Sequence, residues 1–182
     1  HAWDEGWAFF AGSLEGVYGE GSGQILHALG EKRDENFTPV NDANAAILEM
    51  FTDGRNSLNV GDCASAEKKI PAIRTKMMVP VIQGALRYAW KMANGGGDKD
   101  KAEGWAFARA VLPFVEECSV KAANTINKNQ DWEAAKSMSG GVEELWDAYM
   151  SVLECLGINC DDIGELDEDG APTCEPWIVE VD

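Results

Sequence analysis

The chain reads as all-α, a helical bundle with irregular, disulfide-linked loops. Three observations point there. Apolar residues recur at three- and four-residue spacing along most of the chain, the period of an amphipathic helix. Alternating, strand-like patterning is confined to "WIVEV" at the very end. Glycine- and proline-containing stretches break the helical segments at intervals. A fourth feature, "EGWAF" at residue 5 and again at residue 103, predicts an internal duplication with halves of about 1–97 and 98–182 inside a single domain 1–182.

Residues 2–16 read as a helix, with Trp3, Trp7, Phe10 and Leu14 on one face and Ala8, Ala11 and Gly12 on a smaller one. "GVYGEGSG" ends it, a short helix covers Gln24 to Leu29, and "GEKRDENFTP" reads as a polar loop. Asp42 to Thr52 is helical with Asn41 or Asp42 as N-cap, and "DGRNSLNVGDC" is a second loop. The helical pattern from Ser65 ends at the glycines 95–97, and Pro80 should kink or split it. "DKDKAEGWAFARAVLPFVEECSVKAANTIN" reads as one long helix despite Pro113. Asp131 to Ser137 gives a helical turn or two, and "GGVEELWDAYMSVLECLG" an amphipathic helix from Gly141. The last twenty residues read as an acidic loop.

Hydrophobic residues make up 45% of 182, which suits one globular domain with a real core. No apolar run is long enough to span a membrane. The formal net charge of −17 argues against nucleic acid and anionic membrane surfaces, both of which repel such a chain. A start at His1 without a signal peptide reads as a processed or truncated product.

Five cysteines, with Cys155, Cys160 and Cys174 crowded near the end, fit disulfides in an oxidising compartment. Cys160–Cys174 is the preferred bridge and Cys63–Cys118 a second candidate; the odd count leaves one thiol free or paired outside the chain.

The repeated acids are the sharpest functional signal in the sequence. Glu5 and Glu103 sit in helices that look apolar on every side, and such helices are usually buried. A buried carboxylate needs a partner or a metal. Glu103 also stands three residues after Asp100, the spacing of a capping box, which is a purely structural explanation. Gln83 and Arg87 share a helix face next to Tyr88, so Arg87 could clamp a carboxylate or hold a small anion. His1, Asp4 and Glu5 have helical spacings that can put two ligands on one metal. His27 reads as core packing, and "CDDIGELDEDG" departs from the calcium-loop pattern and reads as solvated. No nucleophile motif, phosphate loop or zinc-protease motif is present, so a binding protein is expected in preference to an enzyme.

Taken in order, "EGWAFFAGSLEG", "VPVIQGALRY", "EGWAFARAVLPFVEEC" and "LGINCDDIGELDEDGAPTC" resemble the algal Fe-assimilating proteins, the low-iron-inducible periplasmic family that includes the diatom phytotransferrins. The match runs from residue 5 to about residue 174. It implies a secreted, periplasmic or cell-surface protein that binds ferric iron, with carbonate as synergistic anion, and passes it to surface uptake machinery. On physical grounds Arg87, with Gln83, would hold the anion, while Glu5, Glu103 and Tyr88, with Asp4 and His1 as further candidates, would supply metal ligands suited to hard Fe(III). The imelysin-like iron-regulated helical proteins give a looser resemblance through His1 and Asp4. Two alternatives stay open: a structural or adhesive surface domain with a buried Glu/Arg ion-pair network, and a copper enzyme using the N-terminal His1 with His27.

Overall fold

The computed structural model describes residues 1–12, 25–133 and 141–174. Among them every regular element is a helix: α1 Ala2–Ala11, α2 Leu26–Asp34, α3 Ala43–Asn59, α4 Cys63–Glu67, α5 Ile70–Ala93, α6 Asp98–Cys118, α7 Val120–Asn129, α8 Gly141–Met150, α9 Leu153–Leu156 and α10 Cys160–Ile163. The nearest thing to a sheet is one antiparallel bridge between Phe37 and Leu166. The all-α expectation therefore holds.

The 24-residue α5 is the central post, packed against α2, α3, α6, α8 and α10. Its long apolar surface explains this role: Val79, Ile82, Ala85, Leu86 and Ala89 are all buried in the main core. Val111 and Val115 of α6, Ile126 of α7 and Leu145, Trp146 and Tyr149 of α8 complete that core. Burial of each such aliphatic side chain contributes about 1.5–3 kcal/mol. A smaller cluster of Phe10, Ala11, Ile47, Phe51 and Ile73 joins α1 and α3 to the start of α5. Trp3 and Trp7 pack against that cluster, as their spacing predicts, and the Trp3 indole N–H donates to the Phe51 carbonyl at 2.9 Å. Leu14, the break at 16–23, Gln24, most of the Asp131–Ser137 turn and "WIVEVD" lie outside the described residues.

Several boundaries differ from the sequence expectation. Helix α2 runs on to Asp34, through half of the segment read as a polar loop. Asn44 explains the extension: packed against Gly30, it donates to the His27 carbonyl and the Glu31 carboxylate at 2.9 Å each, tying α2 to α3. Helix α3, with Asp42 as its N-cap, continues through "DGRNSLN". Gly54 does not break α3, because the Trp3 ring occupies the space a Cβ would need. Pro80 does not split α5. The long helix expected from Asp98 to Asn127 is two, since Ser119 turns extended and its hydroxyl caps α7 by accepting from the Ala122 N–H at 3.2 Å.

The disulfides are Cys118–Cys155 and Cys160–Cys174, and Cys63 is a free, exposed thiol. The Cys160–Cys174 expectation holds. Cys63–Cys118 does not form: Cys63 opens α4, whereas Cys118 ends α6 against α9, within reach of Cys155. Helix α10 is then locked to the rest of the chain by polar ties. Asp162, 1% exposed, pairs with Lys76 and accepts from the Asn41 amide at 3.0 Å. Gly164, at φ 70°, lies so close to Pro39 that a side chain would collide with its backbone.

The two "EGWAF" copies do not play equivalent parts, and a duplication is not shown. In α1 the Trp7 ring packs inward and Phe9 is 83% exposed; in α6 Trp105 is exposed and Phe107 packs inward.

Two outcomes follow. Peptide mapping without reduction will link Cys118 to Cys155 and Cys160 to Cys174, with Cys63 open to alkylation; a Cys63–Cys118 peptide would refute the connectivity. Asp162→Asn will lower stability in urea by about 3 kcal/mol at pH 7, as expected when one partner of a buried pair is removed. Burial alone would raise the Asp162 pKa, but the Lys76, Asn41 and Asn159 hydrogen bonds and the Lys76 charge outweigh it and hold the carboxyl below its usual range. Its contribution is therefore complete above the ordinary carboxylate pKa and is lost as pH falls through the depressed value. Wild type and variant should converge in strongly acidic urea titrations.

Candidate functional site

Helices α5 and α6 approach each other through two reciprocal notches. A Cβ on Gly84 of α5 would lie 2.9 Å from the Phe107 ring, and one on Gly104 of α6 would lie 3.2 Å from Tyr88 Cβ. With both positions bare, Phe107 lies flat on Tyr88, ring centroids 5.7 Å apart and planes 13° from parallel. This contact is what "EGWAF" does in its second copy, and it fixes Glu103, Arg87 and Tyr88 at one junction.

Arg87 and Lys91 each place a cation 5.4 Å from the Tyr88 ring centroid. Lys91 is also paired with Asp100 at 3.3 Å. Asp100, at N3 of α6, accepts from the Gly97 N–H at 3.2 Å and so supplies the cap. Glu103 has no capping duty: it is half-buried, and its ion-pair partner is Lys99 one turn earlier at 3.7 Å.

Arg33 lies on α2, which packs against α5, and feels the charges of Arg87 and Glu103. It is 6% exposed, and its Nε and Nη1 have no hydrogen-bond partner among the described residues. Arg87 Nε is buried and unpartnered in the same way. Burial and then the Arg87 charge lower the Arg33 pKa, while Glu103 and Glu35 act in the opposite direction without cancelling them. Arg33 and Arg87 thus each keep buried N–H groups that nothing among the described residues accepts. An unsatisfied buried donor costs roughly 1–3 kcal/mol, more when charged. Native proteins keep such groups rarely, and ordered water or a bound ion is the usual partner.

The sequence candidates divide accordingly. Arg87, Tyr88 and Glu103 do come together. Glu5, Asp4 and His1 do not join them: all three are exposed on α1, so the expectation that Glu5 is buried fails. The failure is geometric, because α1 buries one side only, Phe10 and Ala11 against Ile47 and Phe51, and leaves Ala8 and Phe9 in solvent beside Glu5. Gln83 is buried, but its amide donates to the Ile163 carbonyl at 2.8 Å and serves as a tie to α10. His27 is core packing, as expected, edge-on to Trp7 and Phe10 at 6.4 and 5.6 Å. Among the described residues no three His, Cys, Asp or Glu side chains gather as metal ligands.

Arg33 is the residue sequence reasoning missed. It lay in a stretch read as loop, yet Leu26, Gly30, Arg33 and Phe37 keep helical spacing and mark the face that α2 turns inward. An arginine on an apolar face was the available signal. Comparison of the chain with family models, with curated proteins and with solved structures finds no match.

Proposed function

We propose that this chain is an extracellular binding protein whose site is the α2–α5–α6 junction, and that its cargo is ferric iron held with a small oxyanion such as carbonate. The observation that carries the anion part is the set of buried, unpartnered guanidinium nitrogens: Nε and Nη1 of Arg33 and Nε of Arg87. Arginine forks match planar and tetrahedral oxyanions closely. The iron part rests on the resemblance to the Fe-assimilating proteins, with Glu103 and the Tyr88 phenol as the hard oxygen donors nearest the anion. Two disulfides fit an oxidising compartment, and no described helix is long and apolar enough to cross a membrane.

A structural or adhesive domain built on a buried Glu5–Glu103–Arg87 network has less in its favour, since Glu5 is exposed and Glu103 pairs with Lys99. The copper reading gains no support from His27, whose ring is packed among aromatic side chains.

Thermal melting of metal-stripped protein with and without Fe(III) plus bicarbonate tests the proposal. A ligand at a hundred times its Kd adds about 2.7 kcal/mol, or about 5–10 °C for a chain of this size. Wild type and Glu5→Gln should gain this shift, while Glu103→Gln and Tyr88→Phe should lose most of it. No shift in wild type refutes iron binding, and loss of the shift in Glu5→Gln would move the site to α1.

A further inference from the structure

Toward the start of α5 and the end of α6, away from the Tyr88 stack, a cleft of about 430 Å³ opens between the two helices. That volume falls within the range of small-molecule pockets, about 300–1,000 Å³. Its lining draws on both cores. Val111 is 1% exposed, and Met78, Val81 and Phe114 pack against the main core, while Met77 packs against the small cluster that seats α1. These side chains offer no hydrogen bond. The Thr75 hydroxyl, also in the lining, donates to the Leu156 carbonyl at 3.4 Å. A ligand must therefore turn an apolar end inward.

The rim carries the opposite character. Arg74 is exposed, is the one charged residue of the lining, and makes no hydrogen bond or ion pair among the described residues. Lys69, Lys76, Lys91 and Lys99, by contrast, are each paired with a carboxylate. One open guanidinium matches one carboxylate, which it can hold through two parallel hydrogen bonds. Met77 and Met78 are unbranched and adaptable, so they can follow a flexible aliphatic chain. A macromolecular partner fits less well. A stable interface covers upward of about 1,000 Å², and of the large apolar side chains that stand exposed only Ile70 adjoins this lining in sequence.

We infer that the α5–α6 cleft binds a free medium-chain fatty acid, with its tail against Met78, Val81, Val111 and Phe114 and its carboxylate on the Arg74 guanidinium. The cleft shares no lining residue with Arg87, Tyr88 or Glu103, so this inference stands or falls independently of iron binding.

The test is calorimetric titration of the full chain with decanoate, octanoate and decanol, each below its micelle concentration. Wild type should take up one decanoate per chain saturably. Octanoate should bind roughly fifteenfold more weakly, since each buried methylene is worth about fourfold. Arg74→Gln should weaken decanoate at least fivefold and leave decanol unchanged. Ala110 lines the cleft yet is exposed, so Ala110→Trp should block the space without cutting the core and abolish decanoate binding while melting like wild type. Should Ala110→Trp melt well below wild type, the exposed Arg74→Gln decides alone. No saturable decanoate binding by wild type overturns the inference, and so does undiminished binding by an Ala110→Trp protein that melts normally. Equal loss of decanoate and decanol in Arg74→Gln overturns the carboxylate contact. A wild-type dimer in sedimentation that Ala110→Trp dissociates would make the cleft an interface between copies and overturn the inference as well.

Discussion

The reciprocal glycine notches between α5 and α6 are the constraint on which the rest of the structure depends. With Gly84 and Gly104 bare, Phe107 and Tyr88 can stack flat and the two helix axes close up. Everything else is arranged around that closure. The far side of α5 is left to receive α2, α3 and α10, and α6 is carried on to Ser119, where the chain turns into α7. A methyl group at either glycine would have to displace an aromatic ring or the Tyr88 stem, and overpacking of this kind typically costs 1–3 kcal/mol. The same contact brings Gly104, next to Glu103, against Tyr88, next to Arg87, so packing and candidate chemistry share one cause.

Buried polar groups do the second part of the work, as specific ties between elements distant in sequence. Gln83 reaches Ile163, Gln130 reaches the Ala85 carbonyl at 2.9 Å, and the Tyr149 hydroxyl donates to Gln130 at 2.9 Å. Burial pushes the Tyr149 phenol far above its ordinary pKa, so it stays protonated and remains a donor. Each of these groups has a partner. Not every buried group is met in this way: Arg33 Nε and Nη1, Arg87 Nε, Asn44 Oδ1 and Asn129 Oδ1 have no hydrogen-bond partner among the described residues.

The fold class was legible because helical periodicity is a local signal, and the inward faces of α1, α5 and α8 can be read directly from their apolar spacing. What escaped was decided at long range. Helix α2 extends through Lys32 and Arg33 because Asn44 grips Gly30 from another helix, and no local pattern announces that grip. Glycine 54 looks like a helix breaker until Trp3 is known to lie over it. Cysteine pairing needed the position of α9, which brings Cys155 rather than Cys63 to Cys118. Of the candidate site, Arg87, Tyr88 and Glu103 were visible as polar groups in apolar surroundings. Glu5 misled for the same reason, since a helix can look apolar all round and still leave one side in water. Arg33 was hidden by its charged neighbours.

The two disulfides join α6 to α9 and α10 to the segment that follows it. The small cluster of Phe10, Ile47, Phe51 and Ile73 that seats α1 and α3 has no covalent brace among the described residues, and Leu26 of α2 packs against it. Opening is easiest where the core is smallest and uncrosslinked. Among the described residues α1 is therefore held to α3 by packing and by the Trp3 hydrogen bond, without a covalent tie, and partial opening should begin there. The segment after α2 is better anchored, since Phe37 bridges Leu166 and Asn41 donates to Asp162 beside the Cys160–Cys174 disulfide.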